Sequence, residues 1–196
     1  FKLYLTTNYE NLLHEYVKCD ALPILLKQID FSTQGIFDEK RIFHLHGFTS
    51  NPGSIVISKE SYLELYNDNK YEKLLSVVTS SKKLLFMGFS FDDQFVSTLL
   101  KDHKKYFKGT HYIILNNPTD EKIRELRNEY GLITIEYQAE DSSHTEEIRK
   151  ILNYIAEPKS VAEKKNEPIT GDKESQQTVL VGAGISNMNQ SLENNL

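Results

Sequence analysis

Four short segments of the chain contain residues of the types that bind ligands or assist catalysis. Asn8 stands in LTTNYE, His44 and His46 in HLHG, Ser90 in GFSFDD, and Asn116 in IILNN. A side-chain amide or hydroxyl can hydrogen-bond the hydroxyl groups of a ligand, and a neutral imidazole can accept a proton or bind a metal ion. These residue types are compatible with ligand binding or acid–base chemistry.

Each segment also has a purely structural explanation. An isolated Asn after a strand is commonly a helix cap, and a histidine at a strand end is commonly a structural residue. Because side chains alternate along a strand, His44 and His46 are expected on one face, where they could also belong to a metal site. Ser90 or Asp92 could cap the next helix, and Asn116 could belong to a plain turn. No single segment is specific.

The elements that position these segments predict an α/β fold. Residues 1–156 alternate between short β-branched or aromatic runs and longer amphipathic segments, which is typical of a parallel sheet covered by helices. Ligands bind beyond the carboxyl ends of the strands in such sheets, where the polar segments fall. We predict strands near Lys2–Thr6, Arg41–Leu45, Leu84–Gly88, Tyr112–Leu115 and Leu132–Tyr137, and helices near Tyr9–Val17, Lys59–Tyr66, Tyr71–Ser80, Asp93–Lys105, Asp120–Tyr130 and Thr145–Ile155.

Capping residues support several of these helix boundaries. Ser58 is expected as the N-cap of the helix near Lys59–Tyr66, and Thr119 as the N-cap of the helix near Asp120–Tyr130. Gly131 is expected to end the latter helix in a left-handed conformation.

The composition of the chain changes after residue 156. Residues 157–177 contain no aromatic residue and include Pro158 and Pro168, which predicts a flexible linker. Thr178–Val181 is a β-branched run that leads into Gly182–Ser186, GAGIS, a turn of the type that cradles a dinucleotide pyrophosphate. This turn lacks the third glycine of the usual fingerprint. We therefore predict a main domain over 1–156, a linker over 157–177 and a strand–turn segment over 178–196.

Charge, hydropathy and cysteine usage exclude several classes of protein. The net charge of −5 gives no general attraction to nucleic acid. No apolar run approaches the roughly 20 residues that span a bilayer, and the amino terminus resembles a cut edge rather than a signal peptide. Cys19 is the only cysteine, which excludes an intrachain disulfide and a zinc site built from cysteine pairs. A cytoplasmic protein without a membrane span is expected.

Taken together, the polar segments resemble the SIR2-like (sirtuin-like) domains of bacterial antiphage defence proteins. The family's Thr-Thr-Asn-Tyr-Asp, Leu-His-Gly and Gly-Tyr/Phe-Ser-x-x-Asp patterns correspond, in order, to Thr6–Glu10, Leu45–Gly47 and Gly88–Asp93. Two further family segments correspond to Ile55–Tyr62 and to Ile133–Tyr137. The order and spacing match over most of the main domain.

Two departures from the family pattern bear on the site. Glu10 stands where the family usually has Asp, which lengthens a carboxylate side chain near the ribose. The family's Gly-Ala-Gly-x-Ser turn precedes its Thr-Thr-Asn segment, whereas Gly182–Ser186 follows the linker. Three explanations are open: the chain is cut and continues into another domain, its order is circularly permuted so that this turn folds back to complete the pocket, or the turn belongs to a separate, incomplete domain.

The resemblance implies a Rossmann-like, sirtuin-like fold that lacks the zinc ribbon, and hydrolysis of NAD⁺ to nicotinamide and ADP-ribose. It implies Asn8 and His46 as catalytic residues: His46 as a base with a pKa near neutrality, and Asn8 as the residue that positions water or ribose. The nucleotide-binding residues implied are Thr7, Gly88, Ser90, Asp93, Asn116, Gly182, Ala183, Gly184 and Ser186.

The resemblance also implies the setting of this activity. NAD⁺ is expected as substrate, with no zinc, no membrane and no direct nucleic-acid partner. The domain is expected to be the effector of a larger cytoplasmic protein that carries a sensor domain or subunit, and a homo-oligomer is compatible with this. The alternatives are a catalytically silent module that senses NAD⁺ or a related nucleotide, and an assembly domain that retains the fold alone.

Overall fold

The short β-branched and aromatic runs form one parallel sheet. A computed structural model describes residues 1–88, 110–140, 143–157 and 177–181. Within these residues every strand pair is parallel, and the seven strands follow the order β2-β3-β1-β7-β4-β5-β6. The strands are β1 Leu3–Thr6, β2 Ile24–Leu25, β3 Arg41–His44, β4 Lys83–Met87, β5 His111–Asn116, β6 Leu132–Tyr137 and β7 Gln177–Val181.

The helices lie on both faces of this sheet, as the α/β prediction requires. Ser58 accepts a hydrogen bond from the Ser61 backbone, Thr119 accepts one from the Lys122 backbone, and Gly131 has a φ of 69°. The three predicted caps are therefore confirmed. The described helices are α1 Leu12–Val17, α2 Lys59–Tyr66, α3 Asn69–Ser81, α4 Asp120–Tyr130 and α5 His144–Ala156, with 3₁₀ turns at Leu26–Gln28 and Pro52–Ser54.

Two apolar clusters attach the helices to the sheet. One face of the sheet packs against α3 and α4, and the other packs against α5. This two-sided burial accounts for the nearly continuous apolar strands, because both faces of a parallel sheet are covered. The first cluster contains Leu3, Leu5, Phe43, Leu74, Leu75, Val78, Leu84, Phe86, Ile113, Leu126 and Tyr130. The second contains Leu85 and Ile114 with Tyr4, Tyr112, Ile148, Ile151 and Leu152.

The structure differs from the sequence prediction at the start of one helix and in one additional strand. Helix α1 begins at Leu12 instead of near Tyr9, because Glu10 accepts a 2.6 Å hydrogen bond from the Leu12 backbone and so opens the helix there. Strand β2 was not predicted, since two residues are too few to show alternation. The helix predicted near Asp93–Lys105, and residues 158–176 of the predicted linker, lie outside the described residues.

Strand β7 lies in the middle of the sheet although it comes last in the sequence. It pairs with β1 on one side and with β4 on the other, and Val181 is aligned with both Thr6 and Met87. The carboxyl end of β7 therefore lies between the carboxyl ends of β1 and β4.

Among the described residues, none of the helices has the length and apolarity needed to cross a bilayer.

Candidate functional site

The carboxyl ends of β1 and β3 bring the Asn8 segment and the HLHG segment together. Thr6 is aligned with His44 in the parallel ladder, and the Leu45 backbone N–H donates to the Thr6 carbonyl at 2.9 Å. Asn8 and His46 each stand two residues beyond this aligned pair. They therefore follow neighbouring strand ends at one edge of the sheet, which is where open α/β sheets bind ligands.

Asn8 is held by three hydrogen bonds within this edge. Its backbone N–H donates to Thr6 Oγ1 at 3.0 Å, its Nδ2 donates to Glu10 Oε1 at 2.9 Å, and its carbonyl oxygen lies 3.0 Å from His44 Nδ1. The N-cap of α1 is Asn11, and the Asn8 side chain makes no capping bond. The explanation of Asn8 as a helix cap therefore does not apply.

The Asn8 side-chain oxygen is the unusual atom of the site. A carboxylate can only accept hydrogen bonds, so the contact with Glu10 fixes Nδ2 on the Glu10 side and turns Oδ1 the other way. Asn8 Oδ1 is buried and has no hydrogen-bond partner among the described residues. A buried acceptor without a partner costs about 1–3 kcal/mol, so most are paired in native proteins. This oxygen can therefore accept a hydrogen bond from a donor outside the described residues, such as a water molecule or a ligand group.

His46 is more deeply buried than the sequence suggested. Only 3% of its surface is exposed, its ring packs edge-on against Tyr62 at 5.1 Å, and its carbonyl accepts from the Val56 backbone at 2.9 Å. Burial lowers the pKa of His46 to about 4, so the expectation of a pKa near neutrality is wrong for this structure. The imidazole is therefore neutral at pH 7 and offers a lone pair.

The two histidines of HLHG meet different neighbours. Strand β3 ends at His44, so the alternation expected to place both rings on one face does not extend to His46. The His44 ring meets the His14 ring end to end and packs against the Phe48 ring, and both of its nitrogens lie within hydrogen-bonding distance of protein atoms. Over the described ranges there is no group of three or more potential metal ligands.

The glycine of HLHG has a steric reason to be there. Gly47 has a φ of 99°, which other residues rarely adopt, and a Cβ at this position would lie 2.3 Å from the Ser54 carbonyl oxygen. The group that approaches the Gly47 backbone closely is therefore the 3₁₀ turn at Pro52–Ser54. This contact fixes the path of the chain immediately after His46.

The predicted nucleotide-binding residues fall into three groups. Thr7 and Gly88 lie beyond the ends of β1 and β4, on either side of the end of β7. Asn116 ends β5, and both polar atoms of its amide are bonded to the Ala139 backbone, at 3.2 and 2.9 Å. The remaining predicted residues, Ser90, Asp93, Gly182, Ala183, Gly184 and Ser186, lie outside the described residues.

A cleft of about 430 Å³ lies beside the HLHG segment. Its floor is apolar, with Leu26 and Leu65, and its rim carries the ion pair of Lys27 and Glu64 at 2.8 Å. Asn8 and His46 are not among its lining residues. The cleft therefore lies beside the carboxyl ends of β1 and β3, but it does not contain the side chains of Asn8 and His46.

Sequence reasoning missed one residue of this region. His14 contacts His44 from helix α1, with 3.2 Å between their Nε2 atoms. A single histidine in an amphipathic helix carries no motif, and the two residues are 30 positions apart. No sequence pattern pairs them, because the contact depends on how α1 packs over β3.

Comparison with known proteins adds the family. The SIR2-like domain family matches residues 2–135, a range that contains Asn8 and His46 and ends before β7. The chain is 33% identical over 121 residues to NAD(+) hydrolase ThsA of Bacillus cereus (strain MSX-D12), an alignment that covers 57% of the chain and 25% of that relative. The chain spans about a quarter of the length of this relative. On the match over residues 2–135, it belongs to the SIR2-like domain family.

Proposed function

We propose that this chain forms the catalytic portion of an NAD⁺ glycohydrolase, which releases nicotinamide and ADP-ribose. The observation that carries the proposal is the Asn8 side chain: its amide is held by Glu10, and its buried Oδ1 has no partner among the described residues. Family membership and the relative that is an NAD(+) hydrolase support the same chemistry.

The demands of the reaction fit this arrangement. Nicotinamide leaves a cationic pyridinium as a neutral molecule, so its departure needs no general acid. The ribose that remains has oxocarbenium character, and a fixed carbonyl dipole stabilises such a charge. In the proposed mechanism Asn8 Oδ1 accepts a hydrogen bond from a ribose hydroxyl or from the attacking water. The Glu10 carboxylate keeps the amide in the orientation that this role requires.

In this proposal His46 is a weaker base than the predicted general base with a pKa near neutrality. Its buried, neutral imidazole accepts a hydrogen bond from the water or from a ribose hydroxyl. Because burial opposes a charged ring, His46 takes a proton from the attacking water only as the water adds to the ribose cation, and the products are a neutral ribose hydroxyl and a protonated imidazole. A base is most effective when its pKa is close to the working pH, which makes the depressed pKa of His46 a cost to turnover.

We propose that the order of the chain is circularly permuted and that Gly182–Ser186 folds back to complete the nucleotide pocket. The register of β7 supports this, because Val181, its last residue, is aligned with Thr6 and Met87, which lie just before Asn8 and Gly88 in the sequence. In this proposal Thr7, Gly88, Ser90 and Asp93 contribute further nucleotide contacts, whereas the Asn116 amide, predicted to do the same, is already bonded to the Ala139 backbone. The main domain covers 1–156 together with β7, and the predicted linker 157–177 leads into β7, which begins at Gln177.

The wider setting is proposed from the length of the relative. Since the chain spans about a quarter of that protein, we propose that the domain is the effector of a larger cytoplasmic antiphage defence protein with a sensor elsewhere. Assembly into a homo-oligomer belongs to the same proposal. A second candidate, a nucleotide sensor without turnover, is favoured by one observation, the depressed pKa of His46.

Nicotinamide release from NAD⁺ by the intact protein separates these two candidates. The enzyme proposal expects release by the wild type and loss of release in Asn8→Ala and His46→Ala, with NAD⁺ binding retained. Asn11→Ala is the matched control, because Asn11 lies on the same segment and makes no side-chain capping bond. NAD⁺ binding by calorimetry without any release in the wild type contradicts the enzyme proposal and supports the sensor.

A further inference from the structure

Two buried histidines meet directly beneath Asn8. His14 is 8% exposed and His44 is fully buried, and their rings meet end to end in nearly parallel planes, with centroids 5.4 Å apart and planes 11° apart. Their Nε2 atoms are 3.2 Å apart, which is a hydrogen-bonding distance. Phe48 covers both rings, with centroids 4.7 Å from His44 and 6.0 Å from His14. The contact is therefore shielded from water.

The Asn8 carbonyl determines where the protons of this pair lie. His44 Nδ1 is 3.0 Å from the Asn8 carbonyl oxygen, and a carbonyl can only accept, so Nδ1 must carry a hydrogen. A neutral imidazole carries one N–H, which leaves the Nε2 atom of His44 as an acceptor. The Nε2 atom of His14 must then be the donor.

We propose that His14 and His44 are positioning residues for Asn8, and that they act by sharing a single proton between their Nε2 atoms. With no proton there, two lone pairs would face each other at 3.2 Å, and with two protons, two N–H donors would collide. Only the one-proton link is compatible with the 3.2 Å contact, which holds the His44 ring where its Nδ1–H reaches the Asn8 carbonyl. The catalytic consequence of this inference rests on the proposed function of Asn8.

The charges around the pair set its response to acid. Burial lowers the pKa of both rings and is the largest effect on each. The Glu10 carboxylate partly opposes this, as do the backbone carbonyls of Cys19 and Asn8, which accept hydrogen bonds from His14 and His44 respectively. Phe48, on the loop after β3, is uncharged. The pair is therefore neutral at pH 7, and a first added proton enters at His14 Nδ1 without disturbing the link.

A second added proton has a different effect from the first. It would place an N–H on both Nε2 atoms and two positive charges in a buried contact. The pair is therefore expected to titrate in two separated steps. The Asn8 carbonyl is expected to lose its His44 partner only at the second step.

Nuclear magnetic resonance of the intact protein, labelled with ¹⁵N-histidine, tests the pair without reference to activity. The expected result at pH 7.5 is the Nδ1–H tautomer of His44 and the Nε2–H tautomer of His14, with two separated titration steps. An Nε2–H tautomer of His44, or two rings that titrate independently, overturns the inference.

A pair of variants tests the consequence for Asn8. His14→Gln retains a donor near the Nε2 position, whereas His14→Phe retains the ring and removes the donor. His14→Phe is expected to lower kcat for nicotinamide release about tenfold with little change in KM, and His14→Gln is expected to restore most of that loss. Equal losses in both variants contradict a positioning role and indicate a packing role alone.

The two measurements distinguish the failure of this inference from failure of the proposed function. If the wild-type protein releases no nicotinamide but shows the expected tautomers, the shared proton stands and the proposed function fails. If the wild type is active while His44 is the Nε2–H tautomer, the proposed function stands and the shared proton is wrong.

Discussion

Two asparagines follow two strands of the same sheet, and their surroundings differ. Asn8 follows β1, is tied through its backbone and its Nδ2, and has a buried Oδ1 with no partner among the described residues. Asn116 ends β5, and the Ala139 backbone satisfies both its Oδ1 and its Nδ2. The same sequence signal thus marks a buried acceptor without a partner among the described residues in one place, and a closed turn in the other.

The neighbouring helix and strand ends account for this difference. Beyond β1, the Glu10 carboxylate takes the amide N–H and no described group takes the oxygen. Beyond β5, the chain leaves β6 close enough for Ala139 to bond both ends of the Asn116 amide. An asparagine at a strand end is therefore a stronger functional candidate when one of its two polar atoms is fixed by the protein and the other is not.

The largest expected effect is on catalysis. Asn8→Ala removes the unpaired acceptor and is expected to lower kcat for nicotinamide release about 100-fold or more, as for loss of a single transition-state hydrogen bond. Asn116→Ala is expected to leave the rate within about threefold of wild type. Steady-state kinetics on both variants measures the contrast. Similar losses from both would remove the distinction between the two asparagines.

Alanine substitution of two glycines, one in each half of the sheet, should lower the free energy of unfolding by different amounts. Gly47→Ala places a Cβ 2.3 Å from a backbone oxygen at a φ of 99°, and we expect a loss of about 3 kcal/mol or more. Gly131→Ala, between α4 and β6, also has a positive φ but meets nothing within 4 Å, so a loss of about 1 kcal/mol is expected. Urea unfolding of the two variants gives the comparison.

If the losses from these two glycine variants were equal, the contact between Gly47 and Ser54 would not hold the HLHG segment in place. The left-handed backbone would then be the whole cost at both positions.

The fold and the site were predictable to different degrees. The cap residues Ser58, Thr119 and Gly131 act within one turn of the chain, so the sequence pattern locates them directly. The pKa of His46 was not predictable, because it depends on burial by distant segments. The contact between His14 and His44 and the central place of β7 likewise depend on packing between elements far apart in sequence.

A buried histidine in each half of the sheet should make stability depend on pH. Burial lowers the pKa of His46 and of His111 to about 4, whereas an unfolded imidazole titrates near 6.5. Since the unfolded state binds more protons between these values, the free energy of unfolding decreases as the pH falls from 6.5 to 4, by about 2–3 kcal/mol for each histidine. His46→Gln and His111→Gln should each reduce that slope.

The two histidine variants should differ in activity, although they change the pH dependence of stability in the same way. His111 Nδ1 accepts from the Leu84 backbone at 3.1 Å, at the start of β5 and away from the Asn8 edge, so His111→Gln is expected to retain nicotinamide release. His46→Gln is expected to lose it. Denaturant unfolding at pH 7.5 and 5, beside kinetics at pH 7.5, measures both effects. A pH slope unchanged in both variants would contradict the buried, neutral state of these rings.

The smallest expected effect is structural and belongs to the second asparagine. Asn116→Ala removes the bonds to Ala139 at an exposed strand end, and we expect a loss of about 1 kcal/mol in the free energy of unfolding. Asn8→Ala should cost no more than this, because it also relieves a buried acceptor without a partner. A larger destabilisation by Asn8→Ala would indicate that the asparagine serves the fold.

The most direct test of the central claim is a crystal structure of the intact protein with a non-hydrolysable NAD⁺ analogue. Asn8 Oδ1 is expected within about 3 Å of a ribose hydroxyl or of a water beside the ribose, with Nδ2 still bonded to Glu10. A structure in which Oδ1 is bonded to a side chain or backbone group of the protein itself, with the analogue elsewhere, would contradict the claim that Asn8 acts on the substrate.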